Sequence, residues 1–405
     1  MESKKLKVKS MSKHFPVILF VMLFSFAANA QEKTVNTWYD APKTQLKESY
    51  TVIPAGKDSV VKHGKYIIYY ADKKVWQEGS FDHNQLTGLW KDYYETGVLK
   101  QEMPYANGLL NGVLNYYYPS GKLQQKLSYK NDLLNGNVLS YFESGALQES
   151  SNYLNNQLDG ELKAFYEEGK PRFVKNFKNG MEDGPLVSYY ENGNIKEKSI
   201  RKAGQYDALY TDYYKDFTDG TVNKTCFYKN GKLDGKLTGF YPSGRVKFEC
   251  MYNNDVITGA FTEYYDTTKV LIKETGTYAQ NKKNGVWKSY FPNQELFSTG
   301  TIVDNKLDGV WKVYFKDGKL KQTGSYKDGK AVGEWSYYYE TGELRNSGYY
   351  ENDNKTGIWK TFYTSGELMS EINFVLGQRD GAAKAYTKKG KLVESVMYKN
   401  GEKIQ

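Results

Sequence analysis

Outside its first thirty residues the 405-residue chain holds two histidines, His63 and His83, and two cysteines, Cys226 and Cys250. Nucleophilic catalysis needs one Ser or Cys, one base and one orienting group held as a set. Here every copy of a repeated motif offers the same Ser and Asp in its loops, so no set stands out. No His/Cys cluster has zinc-site spacing, and no Gly-rich loop follows a strand to open a helix around phosphate. The carboxylates Glu95, Glu143, Glu191, Glu340 and Glu351 recur in turns, where solubility accounts for them. Paired-carboxylate glycan hydrolysis is the weaker alternative. The expectation is a protein without catalytic residues, metal or cofactor. The remaining candidate is a ladder of indoles, Trp287, Trp311, Trp335 and Trp359, spaced by 24. Such a ladder is either a packed column on a sheet or a stacking platform for a glycan or a partner's apolar strip. Packing is the commoner outcome, and burial by intrachain neighbours would end the platform reading.

A repeat must position these residues. Copies open at Gly64, Gly88, Gly112, Gly136, Gly160, Gly184, Ala208, Gly235, Gly259, Gly285, Gly309, Gly333, Gly357 and Gly381. The period is 24, lengthened to 27 after Ala208 and 26 after Gly259. A fixed period in the twenties signals stacked units, none of which buries its apolar side alone. With the opening residue as position 0, position +2 is apolar throughout, from Tyr66 and Trp90 to Ala383, and +5 is always Tyr or Phe. Position +6 is aromatic in every copy but the last, which has Thr387. These residues favour strands. Position +9 is usually Gly (Gly97, Gly121, Gly145, Gly244, Gly366), and Pro119, Pro242 and Pro292 sit at +7. That is type I turn chemistry inside a three-residue hairpin loop with a bulge. Position +11 is commonly Leu, +17 is commonly Tyr, and Asn-Gly or Asp-Gly pairs follow, as at Asn107-Gly108 and Asp328-Gly329.

Each copy therefore reads as one β-hairpin. The chain reads as an all-β, elongated, single-layer antiparallel meander of about fourteen hairpins over residues 64–405, with an N-terminal cap at 31–63. Simple alternation puts +5, +11, +15 and +17 on one face and +2 and +6 on the other, so both faces would carry aromatic columns. Glycines at +15 (Gly276, Gly300, Gly324, Gly348) would let a neighbouring ring lie over the backbone. Cys226 and Cys250 take equivalent places in consecutive copies. With two strands per copy they stand about 10 Å apart, beyond the roughly 4.4–6.8 Å a disulfide needs. Two unpaired, buried thiols are expected.

The pattern G-x-W-x-x-Y-Y-x-x-G-x-L followed by Y-x-N-G, clearest from Gly333 to Thr356, resembles the MORN-repeat variant of bacterial YwqK-type antitoxin proteins. The resemblance spans residues 64–405. It implies an all-β hairpin array and, by label, an antitoxin or immunity-like role. MORN repeats elsewhere are associated with protein scaffolding and membrane-lipid contact.

The N-terminus addresses location. Lys4, Lys5, Lys7, Lys9 and Lys13 precede an apolar run from Val17 to Ala28 and an A-x-A site at Ala28-Asn29-Ala30. This is the pattern of a secretory signal peptide, residues 1–30, and the run is short of the roughly 20 residues that span a bilayer. No Cys follows the site, so a lipoprotein is not expected. Without those residues the charge falls from +9 to +5, with 51 basic against 46 acidic side chains. Only five arginines are present (Arg172, Arg201, Arg245, Arg345, Arg379), which speaks against nucleic-acid recognition. The leading expectation is an exported, non-enzymatic scaffold that binds a protein or envelope component along its sheet in the periplasm, at the cell surface or outside. The alternatives are an antitoxin-like protein that masks a toxin and a carbohydrate-binding module.

Overall fold

The computed structural model describes residues 31–404, so the signal-peptide reading of residues 1–30 lies outside the described residues. Among these every regular element is a β-strand, each paired antiparallel. The chain divides into two compact units: residues up to Gly97 together with Tyr105–Gly108, and Val98–Pro104 together with Leu109 onward. The first contains Lys33–Trp38, Leu46–Pro54, Val60–Tyr69, Val75–Asp82 and Gln85–Tyr93, each paired with the next. The region expected as a cap supplies the first hairpin and part of the third strand. The second unit is a meander of the same hairpins, as in Lys306–Tyr314, Leu320–Lys327, Lys330–Tyr338 and Leu344–Glu351.

Local chemistry makes each hairpin. In the copy opening at Gly309 the Phe315 amide donates to the Lys319 carbonyl at 2.9 Å, and the Gly318 amide donates back to Phe315 O at 3.0 Å. That leaves a three-residue loop with Gly318 at φ +81°, a region that favours glycine. The second turn has two residues, Asp328 and Gly329, both at positive φ. This mirror-image turn matches the twist of the flanking strands.

The expected face assignment is overturned by one residue. Tyr314 pairs with Leu320, but Val313 pairs with Gln322, so Lys321 is a bulge. An extra residue on one strand swaps the face of everything beyond it. As a result +2, +15 and +17 share a face: Trp311 stands opposite Gly324, and Gly309 opposite Tyr326. Position +5 lies on the other face, where Tyr386 donates its hydroxyl to Glu371 at 3.0 Å. A second irregularity follows the short turn. Gly300 pairs with Trp311, yet Thr301 pairs with Asp308, leaving Gly309 and Val310 unmatched on that side. The strand bends there, with Gly309 at φ +80°.

The core is a column of size-matched pairs between +15 of one copy and +2 of the next. Where +2 is Trp, +15 is Gly: Gly79 under Trp90, Gly276 under Trp287, Gly300 under Trp311, Gly324 under Trp335 and Gly348 under Trp359. A methyl group on any of these glycines would stand 2.0–2.3 Å from the indole. Where +2 is smaller, +15 grows. Cys226 pairs with Leu237, and Ile372 with Ala383. Interior packing at near-crystalline density explains this trade of volume.

Two hydrogen-bond ladders tie consecutive copies. The +6 tyrosine hydroxyl donates to the +5 carbonyl of the next copy: Tyr241 to Tyr264 O at 2.8 Å, Tyr339 to Phe362 O at 2.9 Å and Tyr363 to Tyr386 O at 2.8 Å. At the second turn an Asn or Asp carboxyl or amide oxygen accepts from the backbone amide of the preceding copy. Examples are Leu233 N to Asp255 at 2.8 Å and Lys283 N to Asn305 at 2.7 Å.

Candidate functional site

The indole ladder is interior. Trp287 is 1% exposed, Trp335 3% and Trp359 5%, and Trp311 is half-buried. One face of each indole lies on the +15 glycine backbone. Trp335 is flanked edge-on by Tyr326 and Tyr350, with centroids 5.1 and 5.7 Å away. Lysine ammonium groups cover others, Lys283 at 3.7 Å from the Trp287 ring and Lys355 at 4.2 Å from that of Trp359. A sugar or a partner's apolar strip needs a free ring face. Trp287, Trp335 and Trp359 offer none and Trp311 is half-covered, so the ladder at Trp287, Trp311, Trp335 and Trp359 is the packed column that was the commoner expectation, and the stacking-platform alternative is withdrawn.

The thiols of Cys226 and Cys250 are buried and unbonded. Leu237 lies between them, opposite Cys226 on one side and Cys250 on the other, so they stand two strands apart. Burial pushes both thiols up, Cys250 to about 11. The thiolate is the reactive form, so these sulfurs fill space and are chemically quiet at neutral pH.

An open cleft of about 360 Å³ forms where the loop after Tyr265 is two residues longer; Arg245, Glu249, Tyr264 and Val270 help line it. Two of its charged groups are engaged: Arg245 contacts Asp266 at 3.0 Å, and Glu249 contacts Lys236 at 2.6 Å.

One convergence of ligating side chains escaped sequence spacing. In the first unit His63, Asp82 and His83 bring one donor atom each to within 4.8 Å of one another. His63 and His83 are twenty residues apart, too far for a short-range metal motif. Hairpin pairing joins the entry of the first strand (position −1) to the second turn (positions +18 and +19). Aligning copies by phase, not by distance along the chain, is the signal that finds them. His83 Nδ1 lies 2.5 Å from Asp82 Oδ1, and His63 Nδ1 lies 3.2 Å from the same oxygen. The hydrogen bond with His83 holds the Asp82 carboxyl below the usual carboxylate range.

The face opposite the indoles carries exposed apolar residues at one phase. Position +1 holds Val113, Leu209, Val286, Val310 and Ile358, with Val310 55% and Ile358 54% exposed. Leu209 stands directly across from Phe227, which is also exposed.

Hairpin repetition and size-matched core pairs define a β-repeat protein. The chain belongs to the MORN repeat variant family, which matches residues 62–83, 86–107, 110–131, 134–155, 158–179, 182–202, 233–254, 307–328, 331–352, 355–375 and 379–400. The copies opening at Ala208, Gly259 and Gly285 fall outside these matches but form the same hairpins. No curated protein matches the sequence. Among solved structures, "Crystal Structure of TcdB2-TccC3" aligns over 92% of this chain and 24% of its own, at 10% identity and a TM-score of 0.16. "Structure of Photorhabdus luminescens Tc holotoxin pore, Mutation TccC3-D651A" aligns over 90% and 23%, at 10% identity and 0.14. This chain spans about a quarter of those chains, and at such scores nothing about it follows from them.

Proposed function

We propose that the protein is an exported, non-catalytic repeat scaffold that binds a protein or cell-envelope component along the sheet face opposite the indole column. The recurrence of exposed apolar side chains at position +1, notably Val286, Val310 and Ile358, carries this reading. One exposed apolar residue needs no account, whereas Val286 and Val310 at the same phase in consecutive copies, with Ile358 beyond the intervening Glu334, offer a partner an apolar patch along the sheet. The indole face is already filled, which argues against carbohydrate stacking there. Few arginines argue against nucleic acid as the ligand. If the chain lies in the YwqK-type branch, its partner would be a toxin that it masks; that role rests on the motif resemblance alone. Export rests on the basic and apolar pattern of residues 1–30, and sequencing the N-terminus of protein from the envelope fraction tests it: Gln31 as first residue supports it, Met1 overturns it.

The binding reading is tested by crosslinking and affinity capture of the chain from its own envelope fraction, with a Val286→Glu/Val310→Glu/Ile358→Glu variant in parallel. A partner held by the unaltered chain and lost by an equally stable variant supports the strip. Equal capture by both removes it. A single neighbour-encoded partner that is toxic alone would select the antitoxin form.

A further inference from the structure

The hairpin that opens at Gly64 differs from its neighbours at one corner. In most copies the position before the opening glycine and the first residue of the second turn carry short side chains that close the turn. Asn135 donates to Asn155 Oδ1 at 3.2 Å, Asp159 accepts from the Asn179 amide at 3.3 Å, and Asp308 accepts from the Asp328 amide at 3.4 Å. In the copy opening at Gly64 both places are imidazoles, His63 and His83. The residue before the turn, which is Ala106, Lys130, Leu154 or Lys178 in the next four copies, is Asp82. The structure thus departs from its own repeat at three adjoining positions, and each departure introduces a metal-ligating group.

We propose that His63, Asp82 and His83 form a site for a divalent transition-metal ion of the Zn²⁺ type. His63 Nδ1 is shut off from solvent and faces Asp82 Oδ1 at 3.2 Å without the alignment of a good hydrogen bond. A buried imidazole nitrogen without a well-aligned partner is costly, and an ion placed there would engage it. The two rings meet edge-on, with centroids 5.1 Å apart. A tetrahedral ion with bonds of about 2.0–2.1 Å places neighbouring donors roughly 3.4 Å apart, so small rotations of Asp82 and His83 suffice. Those two side chains are 60% and 67% exposed, which gives an ion a path from solvent and leaves an outer position for water. Two imidazole nitrogens with one carboxylate oxygen suit Zn²⁺, Ni²⁺ or Cu²⁺ and not the oxygen-seeking Mg²⁺ or Ca²⁺. The ion would clip the second turn of the copy opening at Gly64 to the start of that copy's first strand.

The test uses the full chain and the metal alone. Calorimetric titration with Zn²⁺, and with Co²⁺ for its ligand-field absorption, should show one ion per chain, and Mg²⁺ should give no signal. His63→Asn and His83→Asn put into this copy the residue type found at the same phase elsewhere, so the hairpin is retained. Each should weaken binding at least about tenfold, and the double variant should lose the Co²⁺ band. Zn²⁺ binding of equal strength in the double variant, or no binding to the unaltered chain at millimolar ion, would overturn the assignment.

Discussion

Replacing Gly324 with alanine probes the packing principle most directly. The added Cβ would stand 2.1 Å from Trp335 Cδ2, where ordinary contact begins at 3.4 Å, and two more ring atoms lie within 2.6 Å. The indole must move by about 1.3 Å, the difference between those distances. It is buried and edge-packed against Tyr326 and Tyr350, so it has nowhere to go without breaking those contacts. Overpacking costs typically about 1–3 kcal/mol, and each aromatic pair contributes about 0.5–1.5 kcal/mol. A loss of about 2–6 kcal/mol follows for the repeats near Trp335, the sum of the overpacking and the two ring contacts. The control is Gly333→Ala. Gly333 sits at φ +68° with nothing within 4 Å of an added Cβ, so only the left-handed backbone term of roughly 1–2 kcal/mol applies. Because repeat arrays open locally, amide hydrogen exchange of residues 320–362 should accompany denaturant unfolding. The Gly324→Ala effect should shrink in a Trp335→Leu background, since the pair is coupled. Equal costs for the two glycine variants, or additivity with Trp335→Leu, would refute the size-matched column.

Three further outcomes are expected. Tyr363→Phe removes the donor to Tyr386 O and should cost about 1 kcal/mol without disturbing the fold, since Phe142, Phe291 and Phe315 hold the same position elsewhere; unfolding midpoints read this. Cys226 and Cys250 should resist alkylation in the native chain at neutral pH and both react after denaturation, a mass-spectrometric count; a disulfide under oxidising conditions would contradict the two-strand separation. Burial, then the hydrogen bond to Glu102, pushes the Tyr117 phenol up to about 12. The unfolded phenol ionises near about 10, so the folded chain holds the proton longer. Its stabilising share is complete below the unfolded value and is lost as pH rises through the folded one. Ultraviolet titration of Tyr117→Phe against the unaltered chain should show one fewer late-ionising tyrosine.

The sequence by itself determined the architecture. Glycines at fixed phase, paired aromatics at +5 and +6 and Asn-Gly turns specify hairpins locally, because turn chemistry and strand preference act over a few residues. It also separated the two thiols, since a two-strand repeat sets their distance. Which face each column occupies was decided only by tertiary pairing: the bulge at Lys321 and its equivalents adds one residue to one strand, and alternation cannot register that. The same pairing settled that the indoles pack into the column and drew His63 to Asp82 and His83 across a hairpin. Side chains distant in sequence meet through register, and register is a property of two strands together.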